Sequence, residues 1–513
     1  MPAEKMNWLK QLPPIEMEPW ADPRWEEVAR YGEILFDPRQ DGFSNELEYL
    51  ADLPFRKSVD VKASPLGVGF EVLDHRCAYD FDKVMPFMRD SGVKWARIQS
   101  GWQRAETEIG RYDFGWLDHI VDGLKQAWIE PWVSLSFGNG LYMDAEPIQL
   151  QRHSTYFYSP TAFGEKGIRG WENYCRAMAR HFNSRIAYWE VWNEPNAGYL
   201  RKPGLGAQIV PEPPSEYARL VAHTARAVRS VQPRAKIIGG SISGGGLCNA
   251  YIKGLFDSGL AEHIDIFSYH PYGAIPELHW PERLQYIRDQ IARSGRPIGV
   301  WQGENGRPSE WNITGKGWKY TEANQARFLT RRYLTDLRLG IAMRSYYQAC
   351  DLGNGYNPGP GVYSQGVINA NDPDHYKPKL AFRAMQSFAW LFDSETRPIH
   401  VNFEVHPYGV TWAKTTRPVD GLTALSCGFE RGGIPIYAYY HPSHIDSDYE
   451  VRPVQIILYN GGDFRLDRPV LIDPIAAKIY KIKSAMRLYE NTPVFKRMPL
   501  LDYPLFVTDA SIL

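Results

Sequence analysis

The run Ile186-Ala187-Tyr188-Trp189-Glu190-Val191-Trp192-Asn193-Glu194-Pro195-Asn196 changes character abruptly after Trp192. Up to that point it is apolar and aromatic with one acid, the composition of a short strand buried on both faces. Asn-Glu-Pro then ends it, because proline has no N–H to donate and holds the residue before it away from the helical region. A second run, Pro297-Ile298-Gly299-Val300-Trp301-Gln302-Gly303-Glu304-Asn305-Gly306, follows the same plan: a short apolar strand, then an acid among glycines.

Outward from these two runs, the same strand signal recurs at 65–71, 93–99, 129–136, 236–240, 264–269 and 342–348. Amphipathic helical stretches lie between and after them, at 81–91, 116–126, 170–182, 214–231, 281–294, 321–339 and 379–391. Eight β/α units in order predict an α/β fold, a closed (β/α)8 TIM barrel over 61–393. An open doubly wound sheet would carry a Gly-rich phosphate turn after its first strand, and this chain has none. Beyond 394 the pattern becomes short alternating runs (401–405, 423–427, 435–440, 454–459, 477–482) set between Gly, Pro, Asn and Asp. That predicts a smaller antiparallel β-sandwich domain over 394–513. Residues 1–60, rich in Pro and Glu, are expected to form an extension packing on the barrel or on a neighbouring subunit of a homo-oligomer.

The chain has 513 residues, 44% of them hydrophobic, and a formal net charge of −1. So even a balance gives no field to attract nucleic acid or an anionic membrane. Seventeen Trp, 31 Tyr and 22 Phe supply a large core and leave rings to spare for the apolar faces of sugars. The N-terminal stretch lacks the apolar segment of a secretory signal, and no run is long enough to span a membrane. Cys77, Cys175, Cys248, Cys350 and Cys427 are scattered without a metal or disulfide spacing, as expected of free buried thiols in a cytoplasmic protein.

In a TIM barrel the C-terminal strand ends converge on one face. Glu194 after the fourth strand and Glu304 after the seventh would therefore meet in one cleft from opposite sides. Cleavage of a glycosidic bond needs such a pair: a protonated carboxyl for the leaving oxygen and an ionised one for the anomeric carbon.

Trp192-Asn193-Glu194-Pro195-Asn196 together with Gly303-Glu304-Asn305 resembles clan A of the glycoside hydrolases. Within it the chain looks most like family 39, which includes β-xylosidases. The likeness extends to Gly110-Arg111-Tyr112-Asp113-Phe114 with Leu117-Asp118, and to Val133-Ser134-Leu135-Ser136-Phe137. It covers about 65–395 well and the sandwich loosely. The resemblance implies a retaining enzyme with Glu194 as general acid/base and Glu304 as nucleophile. It also implies that Asn193 bonds a sugar hydroxyl, that Arg97 keeps Glu304 ionised, that Tyr272 bonds Glu304, and that His270 contacts the sugar or the acid. Trp301 and Trp102, at strand ends, are expected in the sugar platform.

No metal or organic cofactor is implied. Gly239–Gly246 lacks the Lys-Ser/Thr of a phosphate loop and reads as a flexible βα-loop, His441 and His444 lack further ligands, and Asn312-Ile313-Thr314 is only a sequon. The chain departs from the family in the loop after Asn196 and in the eighth strand, where no Trp appears. Loops at 137–165, 303–320 and 351–378 are long enough to close the cleft into a pocket. The expected activity is release of terminal β-linked sugars, xyloside-like or related, from oligosaccharides or small glycosides. An endo-acting glycanase and a non-catalytic carbohydrate-binding barrel are the alternatives. A metal-dependent hydrolase would need a His-x-His pair at the first strand, which is missing.

Overall fold

The computed structural model describes residues 35–73, 79–142, 159–197, 211–244, 249–310, 320–352, 363–408, 424–447, 449–459, 466–487 and 492–513. Strand β1 (Leu47–Asp52) precedes a closed barrel of eight parallel strands. These are β2 (Leu66–Phe70), β3 (Trp95–Gln99), β4 (Glu130–Leu135), β5 (Tyr188–Val191), β6 (Lys236–Ser243), β7 (Ile266–His270), β8 (Gly299–Gln302) and β9 (Met343–Tyr346). Strand β9 closes back on β2 with Leu66 opposite Arg344. Each expected barrel strand is present.

The described helices are α1 (Phe81–Arg89), α2 (Trp102–Ala105), α3 (Gly115–Gln126), α4 (Gly164–His181), α5 (Pro214–Arg229), α6 (Asn249–Asp257), α7 (Trp280–Ser294), α8 (Glu322–Arg338) and α9 (Leu380–Leu391). Helix α6 was not expected. It is short and holds Gly254, where a Cβ would come within 2.9 Å of Pro214 Cγ, so the glycine that blurs its pattern is the one that lets it pack on α5.

After the barrel come a small ribbon, β10 (Ile368–Asn369) with β11 (Lys377–Pro378), and two antiparallel sheets. Their strands are β12 (Thr396–Ile399), β13 (Phe403–Pro407), β14 (Leu425–Arg431), β15 (Ile434–Tyr440), β16 (Arg452–Leu458), β17 (Pro469–Asp473), β18 (Lys478–Ile482), β19 (Ala485–Arg487), β20 (Pro493–Leu500) and β21 (Leu505–Asp509). One sheet runs β1-β18-β17-β21-β15-β14-β12 and the other β13-β16-β20-β19, matching the expected β-sandwich. The described part of the N-terminal extension adds an edge strand here, with Leu47 opposite Ile482 and Asp52 opposite Lys478. It then crosses to the barrel, where Arg56 pairs with Asp393 at 2.7 Å and Lys94 Nζ donates to Ser58 O at 2.8 Å.

Cys175, Cys350 and Cys427 are free and buried; Cys77, Cys248, Trp311, Trp318 and the sequon at 312–314 lie outside the described residues. Among the described residues no helix is long and apolar enough to cross a membrane.

The barrel interior is layered. Side chains of successive residues in a strand alternate between the inside and the outside of the barrel. Trp132, Ile238, Ile266, Trp301 and Met343 form an apolar plug, with Trp95 and Tyr188 packed against it. Two residues further along six of these strands stand Arg97, Ser134, Glu190, Ser268, Gly303 and Ser345, all buried. The polar layer therefore rests directly on an apolar floor.

Candidate active site

Arg97 is the hub of the polar layer and is fully buried. Its Nε donates to Glu190 Oε2 at 2.6 Å, its Nη1 to Glu304 Oε2 at 2.6 Å and to Glu71 Oε2 at 3.0 Å, and its Nη2 to Asn193 Oδ1 at 2.8 Å. Burial works against the guanidinium charge, but Glu190, Glu71 and Glu304 outweigh it and hold the group well above its usual value. Burial pushes the Glu71 carboxyl well above the usual carboxylate range; Arg97 opposes this, and the charges of Glu304 and Glu190 reinforce it.

Each oxygen of Glu304 accepts a hydrogen bond, Oε2 from Arg97 and Oε1 from Tyr272 Oη at 2.7 Å. Burial and the charge of Glu304 hold the Tyr272 phenol well above its usual value, so it stays a donor at neutral pH. His270 Nδ1 is 2.9 Å from Glu194 Oε1 and 3.8 Å from Glu304 Oε2. Burial lowers the imidazole to about 4, so it is neutral at neutral pH. A neutral ring there places no positive charge beside Glu194. An oxygen of Glu194, an oxygen of Glu304 and a nitrogen of His270 all lie within 4.8 Å of one another. Of the described groups this trio alone has the spacing of a metal site, but an arginine and a phenol already occupy the oxygens of Glu304.

Local sequence explains the placement. Trp192 and Glu194 take φ of 65° and 46°, a region that costs a non-glycine residue about 1–3 kcal/mol. The turn is held there by Trp192 N donating to Leu135 O and Glu194 N to Ser241 O, each at 2.9 Å. Because Arg97 donates to the oxygen of Asn193, the side chain is fixed with its amide donors turned away from Arg97 and available to a ligand. Gly303 is required by its neighbours: a Cβ there would sit 2.2 Å from Ser268 Oγ and 3.2 Å from His270 Nε2.

The structure thus brings together Glu194, Glu304, Asn193, Arg97, His270 and Tyr272, and places the two tryptophans elsewhere. Trp301 belongs to the plug, stacked on Trp132 at 4.8 Å and edge-on or tilted to Trp95 and Tyr188 at 5.2 Å. Its parity in β8 points it inward one layer below the carboxylates. Trp102 is 0% exposed, packed against Tyr142, Trp171 and Tyr174, with its indole N–H donated to Glu106 Oε2 at 2.5 Å. A ring with no accessible face cannot be a sugar platform. Trp102→Phe is therefore expected to lower stability by about 1–3 kcal/mol, because Glu106 loses a buried donor, while KM changes less than about twofold; denaturant unfolding beside steady-state kinetics checks this.

Sequence reasoning missed Glu71 and Glu190. Their signal was an acid inside or at the end of an otherwise apolar strand, Leu66-Gly67-Val68-Gly69-Phe70-Glu71 and Tyr188-Trp189-Glu190-Val191. It also placed Ser241 in a flexible loop. The Gly-rich run instead continues β6 to Ser243, and Ser241 Oγ donates to Glu190 Oε1 at 2.7 Å.

Known proteins agree with the resemblance stated from sequence, to clan A and family 39. The family model described as Glycosyl hydrolases family 39 matches residues 76–281. The chain is similar to Beta-glucosidase 47 of Arabidopsis thaliana, 26% identical over 197 residues, which is 36% of this chain and 34% of that protein. It is similar to a Beta-xylosidase of Geobacillus stearothermophilus, 28% identical over 141 residues, 26% of this chain and 25% of that protein. The matched stretch thus spans about a third or less of these relatives' own length. In fold it is similar to a family 39 glycoside hydrolase from the gut symbiont Bacteroides cellulosilyticus WH2, with a TM-score of 0.63 and 18% identity over 89% of this chain and 83% of that one. These matches support a glycoside hydrolase.

Proposed function

With family 39 as its kin, we propose that the protein is a retaining β-glycosidase in which Glu304 is the nucleophile and Glu194 the general acid/base. The observation that carries this is the approach of the two carboxylates, with an oxygen of each within 4.8 Å of the other. Retaining enzymes hold the pair about 5–5.5 Å apart, whereas inverting enzymes leave about 6.5–9.5 Å for a water.

In the first step Glu194 gives its proton to the glycosidic oxygen as Glu304 attacks the anomeric carbon. The carbon–oxygen bond to the leaving group breaks and a glycosyl ester on Glu304 forms. That ester is neutral, so Arg97 and Tyr272 lose the charge they were solvating, and the Glu194 carboxylate can now take a proton from water. The water oxygen bonds the anomeric carbon, and Glu304 leaves as carboxylate. Asn193, its oxygen fixed on Arg97, presents its amide donors to a sugar hydroxyl. Terminal β-xylosides and related pentosides or hexosides are the substrate class, in keeping with relatives named as a β-xylosidase and a β-glucosidase.

Assays on chromogenic β-xyloside, β-glucoside, β-galactoside and α-L-arabinoside substrates test this directly. Turnover of one of them with the first product keeping the anomeric configuration of its substrate is expected; a first product of the opposite configuration would reject the retaining mechanism. Activity confined to long chains with oligomeric products would replace exo with endo action. Glu194→Gln should lower kcat/KM for a poorly leaving alcohol by about 10²–10⁴-fold. It should cost much less with a dinitrophenyl leaving group, which departs without a proton. Equal losses on both substrates would remove Glu194 from the role of acid.

A further inference from the structure

The loop that bears Glu304 is anchored from the other side of the molecule. Arg307, three residues beyond it, is buried at 3% exposure. Its carbonyl accepts from Gln325 Nε2 at 3.0 Å and Tyr346 Oη at 3.2 Å, both barrel residues. Its guanidinium, by contrast, pairs with Asp446, which lies between β15 and β16 of the sandwich.

The same sandwich segment reaches the loop after β7. Ile445, fully buried, donates its N–H to Ala274 O at 3.2 Å, two residues beyond the Tyr272 whose phenol bonds Glu304. On either side, Arg331 Nη1 donates to Ser443 O at 2.7 Å and Arg327 Nη2 to Ser447 O at 3.0 Å. Residues 443–447 are thus fastened to the barrel at four points. Two of these fall on the two loops that must agree for Glu304 to meet Tyr272.

We propose that this segment is a positioning element for the active site, with Asp446 as its positioning residue. The Arg307–Asp446 pair fixes the β8 loop and the Ile445 contact fixes the β7 loop, so Glu304 arrives between Arg97 and Tyr272. The physical reason is the cost of a broken buried pair. Without Asp446 the buried Arg307 loses a carboxylate partner in a site that also feels the charges of Arg327 and Arg331, which favours movement of the loop. A carboxylate displaced by about 1 Å from its line of attack loses on the order of 100-fold in rate. The proposal rests on Glu304 being the nucleophile.

The test compares Asp446→Asn with Asp473→Asn. Asp473 is wholly buried in the same sandwich, where it accepts from Ile475 N, Ala476 N and Tyr503 Oη. Its loss weakens the sandwich without cutting a tie to either loop. For each variant kcat, KM, the thermal midpoint and hydrogen exchange at 272–275 and 303–307 are measured. Asp446→Asn is expected to lower kcat by about 10- to 100-fold with KM within about threefold, and to speed exchange in both loops. Asp473→Asn lowers the midpoint and leaves kcat and loop exchange unchanged. Asp446→Glu, which keeps the charge, recovers most of kcat; should the Asn variant fail to fold, Arg307→Met, which cuts the same tie without leaving a buried charge, takes its place with the same expected losses in kcat and loop protection. The proposal is overturned if Asp446→Asn keeps kcat within twofold and unchanged exchange, or if both Asn variants lose kcat in parallel with stability. A wild type inactive on every glycoside would reject the hydrolase function, and the exchange data would still decide whether Asp446 holds the loops.

Discussion

Glu304→Ala should lower kcat by about 10⁴-fold or more on an activated aryl glycoside, and azide should restore turnover. Alanine removes the oxygen that forms the glycosyl ester and leaves room beside the anomeric carbon. Azide entering that space attacks from the nucleophile's face, so the glycosyl azide carries the anomeric configuration opposite to the substrate. Glu194→Ala should give the contrary result. There the ester on Glu304 still forms, and azide attacks it from the other face, returning the original configuration. Product configuration by NMR thus reads the two roles separately. Swapped outcomes would exchange the roles of the two acids, and no rescue of either would set the double displacement aside.

The second large effect is on stability. Arg97→Met is expected to destabilise the protein by about 3–5 kcal/mol at neutral pH, because it leaves buried carboxylates without their cation. Glu71, Glu190 and Glu304 would then face one another with the guanidinium gone. The pH dependence has a definite sign. The Glu71 carboxyl already sits well above its usual range through burial, and loss of Arg97 raises it further. A carboxyl raised on folding binds more protons folded than unfolded, so it loses stability as pH rises above the unfolded value of about 4.3. The deficit of the variant should therefore be larger at pH 8 than at pH 5. Denaturant unfolding at the two pH values measures it; an equal deficit at both would mean that carboxylate repulsion is not its source.

The barrel was legible because its strands announce themselves. Each is a short apolar run closed by Gly, Pro or a polar turn, and every expected one is found. The Glu194 and Glu304 pairing followed from their places after the fourth and seventh strands of a closed barrel, whose C-terminal ends converge, together with the Asn-Glu-Pro turn. The buried polar network did not follow, because an acid in an apolar strand looks the same whether it meets an arginine or water. Helix α8 shows the same limit. Its periodicity suggests a solvated charged face, yet Arg327, Arg331, Arg332 and Asp336 are all buried, the first two against the sandwich and the last two paired within the barrel. Arg331 pairs there with Glu277 at 2.6 Å and Arg327 with Asp502. The partners lie far apart in the chain, and no local pattern encodes them. The two tryptophans failed for a related reason: position near a strand end does not say at what depth an indole lies, and Trp301 sits one layer too deep while Trp102 is buried among Tyr142, Trp171 and Tyr174.

The tryptophan-lined plug beneath Arg97 makes the cleft a cul-de-sac. Stacked Trp132 and Trp301 close the barrel floor, so among the described residues the way to the carboxylates is from the strand C-termini, and a glycoside, water and products would all use that side. In the proposed reaction the leaving alcohol would have to vacate that side before water enters, and the free sugar before another glycoside binds. On the proposed function, traffic through the site is single-file, and the released sugar competes with incoming substrate for the same berth.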